Sequence, residues 1–270
     1  ANTRSGKVFG HSPKVRVKAY RHCDTKDLAR KLKRYVRPGD RILVVTDTVF
    51  SMDGDIAPLP ELIEVLSEYK DSVLFLDEAH ASGAIGATGH GIFEHFQISP
   101  QDAMAQGLHP LVMTTFSKFA ASAGAAISSF VPELIPLLNV SPTSIGTISL
   151  PPPTTAAALE SIRQVQQNPH LVKTLQYNTH YLRSRLQEAG FDAIGETNVI
   201  PVILPPEINP KHFGRSLLAD YGIWVSPIWF IAKPRLRITA NALHTEAEMD
   251  QLVSAMAKTR DLIYQPVISA

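Results

Sequence analysis

The sequence predicts an α/β protein: a mainly parallel sheet flanked by helices, followed by a smaller C-terminal α/β domain. Three observations predict it. First, the run Arg41–Thr46 is apolar and rich in β-branched residues, which suits a parallel strand covered on both faces, and Val73–Leu76 and Leu111–Thr115 are two further strand-like apolar runs, the last ending in hydroxyls. Second, an amphipathic helix pattern lies between the first two runs, and the loops are short, as a right-handed crossover unit requires. Third, each run ends in polar residues at Thr46–Ser51, Asp77–His80 and Thr115–Lys118, and open α/β sheets hold their ligands at such strand ends.

The elements follow in order. Thr25 to Val36 carries Leu28, Leu32 and Tyr35 at helical spacing behind a cap at Asp24 or Thr25. Arg37-Pro-Gly-Asp40 breaks that helix before the first strand, and residues 47–55 form a polar loop. Leu59, Leu62, Ile63, Leu66 and Tyr69 share one face of a helix over Pro58–Tyr69. A glycine-rich loop spans Gly83–Gly91, Ser99-Pro-Gln-Asp102 starts a short helix, and Ala125–Phe130 reads as a fourth strand. Pro132–Leu138 is a short apolar helix. Ser149–Pro153 is an extended element, because the residue before a proline is pushed out of the α region. Thr154–Gln167 is again helical.

The division expected is 1–153 for a partial large domain and 154–270 for the small one. In the latter, His170–Ala189 is a long helix stopped by Gly190. Val199–Leu204 is a strand that Pro201 assigns to an edge. Lys211–Tyr221 is a helix ended by Gly222, Ile223–Ser226 is a strand, and Arg235–Thr239 alternates like a half-buried strand. Thr245-Glu-Ala-Glu248 is a capping box that opens the last helix.

Composition narrows the function. The 270 residues carry 26 Lys and Arg against 25 Asp and Glu, which gives no nucleic-acid footprint. No apolar run approaches the roughly 20 residues of a membrane span. The single cysteine, Cys23, fits a reducing cytosol. Asn139-Val-Ser141 is a formal glycosylation triplet with nothing else to support secretion. Residues 1–21 are basic and without an initiator methionine, and they read as a chain entered partway.

Lys118, Asp77 and His80 are the chemically loaded residues. A lysine at a strand end can form an imine with an aldehyde cofactor such as pyridoxal phosphate, an electron sink. A buried carboxylate, Asp77, can hold the ring nitrogen's proton, and His80 can donate to the ring or to a substrate carbonyl. Thr115, Ser117 and Thr147 are potential phosphate contacts. Each residue taken singly has a plainer reading: a surface lysine, a turn-capping aspartate, a core histidine. The loop glycines usually serve backbone geometry. Arg237 is by default a strand-surface charge, and the acids near residue 53 match no cation loop.

Taken in order, the motifs resemble those of the α-oxoamine synthases, which are fold-type-I pyridoxal phosphate enzymes. The resemblance runs from about Val44 to about Leu252. It rests on Val49-Phe-Ser-Met-Asp-Gly-Asp-Ile-Ala-Pro-Leu59, on Asp77-Glu-Ala-His80 with Gly83, Gly86 and Gly91, and on Thr115-Phe-Ser-Lys118. Ser149-Leu-Pro-Pro152, Arg235-Leu-Arg-Ile-Thr239 and His244-Thr245 extend it. The resemblance implies condensation of a small amino acid with an acyl-CoA, releasing CO2 and CoA. It implies that Lys118 holds the cofactor, that Asp77 keeps the pyridine nitrogen protonated and that Thr115 binds phosphate. Ser51 and His80 would contact the cofactor's phenolic side, and Arg237 would pair with the amino acid's carboxylate. It also implies a cytoplasmic enzyme working as a homodimer, or as a heterodimer with a homologue. The family's upstream phosphate loop and ring-stacking histidine have no match before Arg41. A non-catalytic partner subunit, or another fold-type-I enzyme such as an aminotransferase, are the alternatives.

Overall fold

The computed structural model describes residues 15–141, 144–145, 149–230 and 233–264, and these fall into two compact units. The first takes the described residues up to Val49 and those from Ala57 to Pro169. The second takes Phe50–Ile56 and the described residues from His170 onward.

The first unit runs α1 (Thr25–Tyr35), β1 (Leu43–Asp47), α2 (Leu59–Ser67), β2 (Ser72–Asp77), α3 (Ile92–His95), α4 (Pro100–Ala105), β3 (Leu108–Thr115), β4 (Ala125–Ser129), α5 (Leu134–Asn139) and α6 (Pro152–Gln167). Its sheet has the order β1-β2-β3-β4. The first three strands are parallel and β4 is antiparallel to β3. Asp24 caps α1, accepting from the Asp27 N–H at 2.7 Å. Helix α2 buries the expected face, Leu59, Leu62, Ile63 and Leu66, and β2 buries Leu74 and Leu76. Each such side chain contributes about 1.5–3 kcal/mol. Full cover on both strand faces is not found among the described residues. Strand β2 alternates buried and half-buried positions, and Leu43 of β1 is 52% exposed.

The second unit runs α7 (His170–Glu188), β5 (Asp192–Ala193), β6 (Val199–Ile203), α8 (Pro210–Tyr221), β7 (Ser226–Ile228), β8 (Arg235–Thr239) and α9 (Glu246–Tyr264). Its strands, in the order β5-β6-β8-β7, are all antiparallel. Leu182 and Leu186 of α7, Ile200 and Val202 of β6, Phe213 and Leu217 of α8 and Met249 and Met256 of α9 share one core. The capping box closes as read from sequence: Thr245 N–H donates to Glu248 Oε2 at 2.8 Å and Glu248 N–H to Thr245 Oγ1 at 3.3 Å.

Three elements and one boundary differ from expectation, each for a local reason. Strand β6 is internal, between β5 and β8, despite Pro201. The Pro201 carbonyl accepts from Ile194 N–H at 2.9 Å, so its missing N–H faces the side where β5 is only two residues long. Helix α6 begins at Pro152 rather than Thr154, since proline suits the first helical turn, where its N–H has no partner to lose. That helix belongs to the first unit. Ser122 Oγ donates to the Thr154 carbonyl at 2.7 Å and Ser161 Oγ to the Ala120 carbonyl at 2.9 Å, so the division falls after Pro169 and not after 153. Strand β7 starts at Ser226, because left-handed Gly222 closes α8 and residues 223–225 form a connection.

Gly54 has φ +66°, and a Cβ there would overlap the Val199 carbonyl oxygen. Gly54→Ala is expected to lower stability by about 2–4 kcal/mol. A denaturant midpoint unchanged from the parent would refute this close approach.

Candidate functional site

In the first unit the site residues gather where β1, β2 and β3 end. Asp47, Asp77 and Met113 stand at one level of the parallel ladder. Buried Thr48 fixes that level by donating both its N–H (2.9 Å) and its hydroxyl (3.0 Å) to the Asp77 carbonyl. Asp77 Oδ1 accepts from Ala79 N–H at 2.9 Å, which starts the turn that carries His80. Asp77 therefore does cap a turn, but with one oxygen only. Its Oδ2 accepts nothing from the described residues.

His80 sits half-buried in a tight turn, where the Ala81 and Ser82 N–H groups donate to the Glu78 carbonyl at 3.0 and 3.1 Å. The Glu78 side chain turns inward, 4% exposed. It accepts from Ile92 N–H at 2.8 Å and from Ser82 Oγ at 3.0 Å. Burial pushes its carboxyl above the usual carboxylate range, and those two donors pull the other way. Glu94 gathers the rest of the glycine-rich loop. It accepts from the N–H groups of Thr88 and His90, both at 3.0 Å, and from Thr88 Oγ1 at 2.6 Å. Gly86 and Gly91 have positive φ and lie against these two carboxylates, where a Cβ would collide with Glu94 and Glu78. Donors of the loop are thus spent on the protein's own acids, which settles its glycines as backbone geometry rather than a phosphate cradle.

Beyond β3, Thr115 Oγ1 lies 2.8 Å from Ser117 Oγ and 3.2 Å from the Gly124 carbonyl. Lys118 follows, exposed, at the head of a turn in which Ala121 N–H donates to the Lys118 carbonyl at 3.1 Å. A Cβ at Gly83 would strike the Phe119 side chain, so the absence of one lets the His80 loop settle on the residue next to Lys118. Thr147 lies outside the described residues.

In the second unit, Arg237 Nε donates to the Ser51 carbonyl at 2.6 Å. Its neighbour on the same face of β8, Arg235, is 4% exposed and bonds the Met52 carbonyl and Asp53 Oδ1, each at 2.7 Å. Arg235 is thus a paired structural cation. Arg237 has no carboxylate partner among the described residues, and burial alone holds its guanidinium below the usual arginine range. A half-buried cation without a counter-ion suits a carboxylate ligand.

Sequence reasoning missed Asp47, Glu78 and Arg235. The signal for Asp47 was its place at the end of a strand, the same place that drew notice to Asp77. Nothing in the spacing marked Glu78 as the one buried acid of its turn.

An α/β sheet with lysine and aspartate at neighbouring strand ends defines a class, and comparison with known proteins agrees with it. The family model for aminotransferase class I and II matches residues 10–256. The chain belongs to that family, and its relatives are of the α-oxoamine synthase type. It is similar to 8-amino-7-oxononanoate synthase of Symbiobacterium thermophilum, at 34% identity over 91% of this chain and 62% of the relative. The Lysinibacillus sphaericus synthase is 36% identical over 91% and 62%. Serine palmitoyltransferase of S. paucimobilis, solved with a PLP–myriocin aldimine, superposes with a TM-score of 0.80 at 27% identity, covering 90% of this chain and 61% of that one. An 8-amino-7-oxononanoate synthase from Francisella tularensis shares the fold, with a TM-score of 0.74 at 20% identity over 93% and 70%. The chain spans about 62% of the length of the curated relatives it matches.

Glu78 offers a test of the loop. Its carboxyl is raised when folded, so protonation favours the folded state. Its contribution is full below the ordinary glutamate range and is lost as pH rises through the raised value. Glu78→Gln is expected to flatten the dependence of melting temperature on pH just above the ordinary carboxylate range. An unchanged slope in the variant would contradict this.

Proposed function

We propose that the chain is a pyridoxal phosphate-dependent acyltransferase, or the lysine-bearing part of one, condensing a small amino acid with an acyl-CoA and releasing CO2 and CoA. The observation that carries the reading is Asp77 at the end of β2 and Lys118 in the turn that follows the adjacent parallel strand β3, with Asp77 Oδ2 accepting nothing from the described residues. An open carboxylate oxygen at one strand end and an amine just past the next fit a pyridine N–H and an aldehyde. The hydroxyls of Thr115 and Ser117, 2.8 Å apart, fit an anionic phosphate oxygen. The names of the relatives support the same chemistry.

Bound there, pyridoxal phosphate supplies an electron sink for bonds at the amino acid's α-carbon. The protein's residues do the rest. Lys118 anchors the aldehyde and afterwards holds and returns the proton at the α-carbon. Asp77 keeps a proton on the ring nitrogen through Oδ2. His80 donates a hydrogen bond to the acyl carbonyl, and with Ser51 it takes the cofactor's phenolic side. Thr115, Ser117 and Thr147 take the phosphate. Arg237, whose only hydrogen bond among the described residues goes to a backbone carbonyl, takes the amino acid's carboxylate. Among the described residues no helix is long and apolar enough to cross a membrane. We place the enzyme in the cytoplasm, as a dimer with itself or a homologue.

Two outcomes are expected. Borohydride treatment in the presence of pyridoxal phosphate should fix the cofactor on Lys118, as read by peptide mass spectrometry, and Lys118→Ala should abolish the label. Absence of label on the parent chain would sink the proposal. Arg237→Gln should weaken binding of a small amino acid by at least about tenfold while leaving the Lys118 label intact, since a charge-assisted hydrogen bond is worth about 1.5–3 kcal/mol.

A further inference from the structure

Asp47 ends β1 at the level where Asp77 ends β2, and the two are partners in the parallel register. Partners on adjacent strands lie about 4.8 Å apart in the hydrogen-bonding direction, with side chains on one face. Thr48 locks this level through its two bonds to the Asp77 carbonyl. Asp77 spends Oδ1 on the Ala79 N–H. The Asp47 carboxylate receives no hydrogen bond from the described residues, although it is half-buried.

The geometry points to Asp47 as a second carboxylate of the cofactor pocket, one that gives up a proton when a cationic ring enters against Asp77. This rests on the pyridoxal phosphate reading above. Among the described residues, four groups face Asp47: Asp77 from β2, Lys118 from the turn after β3, and Tyr20 and His22 from the segment before α1. Burial first, and then the charge of Asp77, hold the Asp47 carboxyl above the usual range; His22 and Lys118 oppose this. Two carboxylates at one level resist ionising together unless a cation joins them. A protonated pyridine is that cation. As it enters, the Asp47 COOH becomes COO⁻ and its proton passes to solvent, with no electron transferred. The sign follows: binding favours the ionised form, so affinity is full above the Asp47 pKa of the cofactor-free protein. Below it, affinity is lost by up to about tenfold per pH unit, the slope of a one-proton linkage.

The test titrates pyridoxal phosphate into the full chain by calorimetry, across pH and in two buffers of different ionisation enthalpy. The parent is compared with Asp47→Asn and Asp47→Glu. The parent should release up to one proton more than Asp47→Asn, and Asp47→Asn should lose the acid-side fall in affinity that Asp47→Glu restores. A second measurement needs neither cofactor nor a folded Asp47 variant. The NMR carboxyl titration of Asp47 in the cofactor-free protein should have a raised midpoint that drops in Asp77→Asn. Equal proton release and equal pH slopes in parent and Asp47→Asn overturn the inference, as does an Asp47 midpoint indifferent to Asp77→Asn. A parent that binds no pyridoxal phosphate brings down the functional reading and this inference with it. A parent that binds while Asp47→Asn behaves identically brings down this inference alone.

Discussion

The first unit depends on the register of three parallel strands. The pairing sets which side chains stand level at the carboxyl edge of the sheet: Asp47, Asp77 and Met113, with Thr115 two residues further along β3. A slip of one residue would turn each carboxylate to the opposite face of the sheet. Register is therefore the constraint that chemistry inherits here. Thr48 guards it with two donors on one carbonyl, at the cost of a fully buried hydroxyl that is satisfied only in this alignment.

A second layer of control surrounds that edge. Glu78 and Glu94 organise the loop between β2 and α3 from within, and glycines let the backbone come close to them. The acids do for this loop what a metal or a disulfide does elsewhere, drawing several segments onto one point. Glu78 is buried and desolvated, so its hydrogen bonds serve to offset an ionisation cost rather than add a large surplus. Its return is conformational: with the Glu78 side chain held inward, its carbonyl takes the Ala81 and Ser82 N–H groups that close the turn bearing His80.

Much of this was legible in the sequence, for identifiable reasons. Parallel strands announce themselves as apolar runs, and the capping box at Thr245–Glu248 is a local pattern that needs no tertiary partner. Lys118, Asp77 and His80 stood out because they fall together at the ends of neighbouring apolar runs; singly, each had a plainer reading. What was not legible depends on neighbours distant in sequence. Pro201 was placed on an edge because proline lacks a donor, yet the adjacent strand ends before that donor is needed. Pro152 opens a helix because it falls in the first turn, where a missing N–H costs nothing. Arg235 and Arg237 look alike in sequence. Only the placement of Asp53 beside the one shows which is structural.

That pair of arginines sits against residues 51–53 in reverse order: Arg237 on Ser51, Arg235 on Met52 and Asp53. The two stretches read each other like opposed rulers. Length in this segment is therefore constrained as strictly as composition. A single-residue insertion between Ser51 and Asp53 would slide the acid relative to both guanidinium groups, leaving the structural cation bereft and the other falsely satisfied. Homologous sequences should then accept substitutions at Met52 far more readily than they accept gaps there.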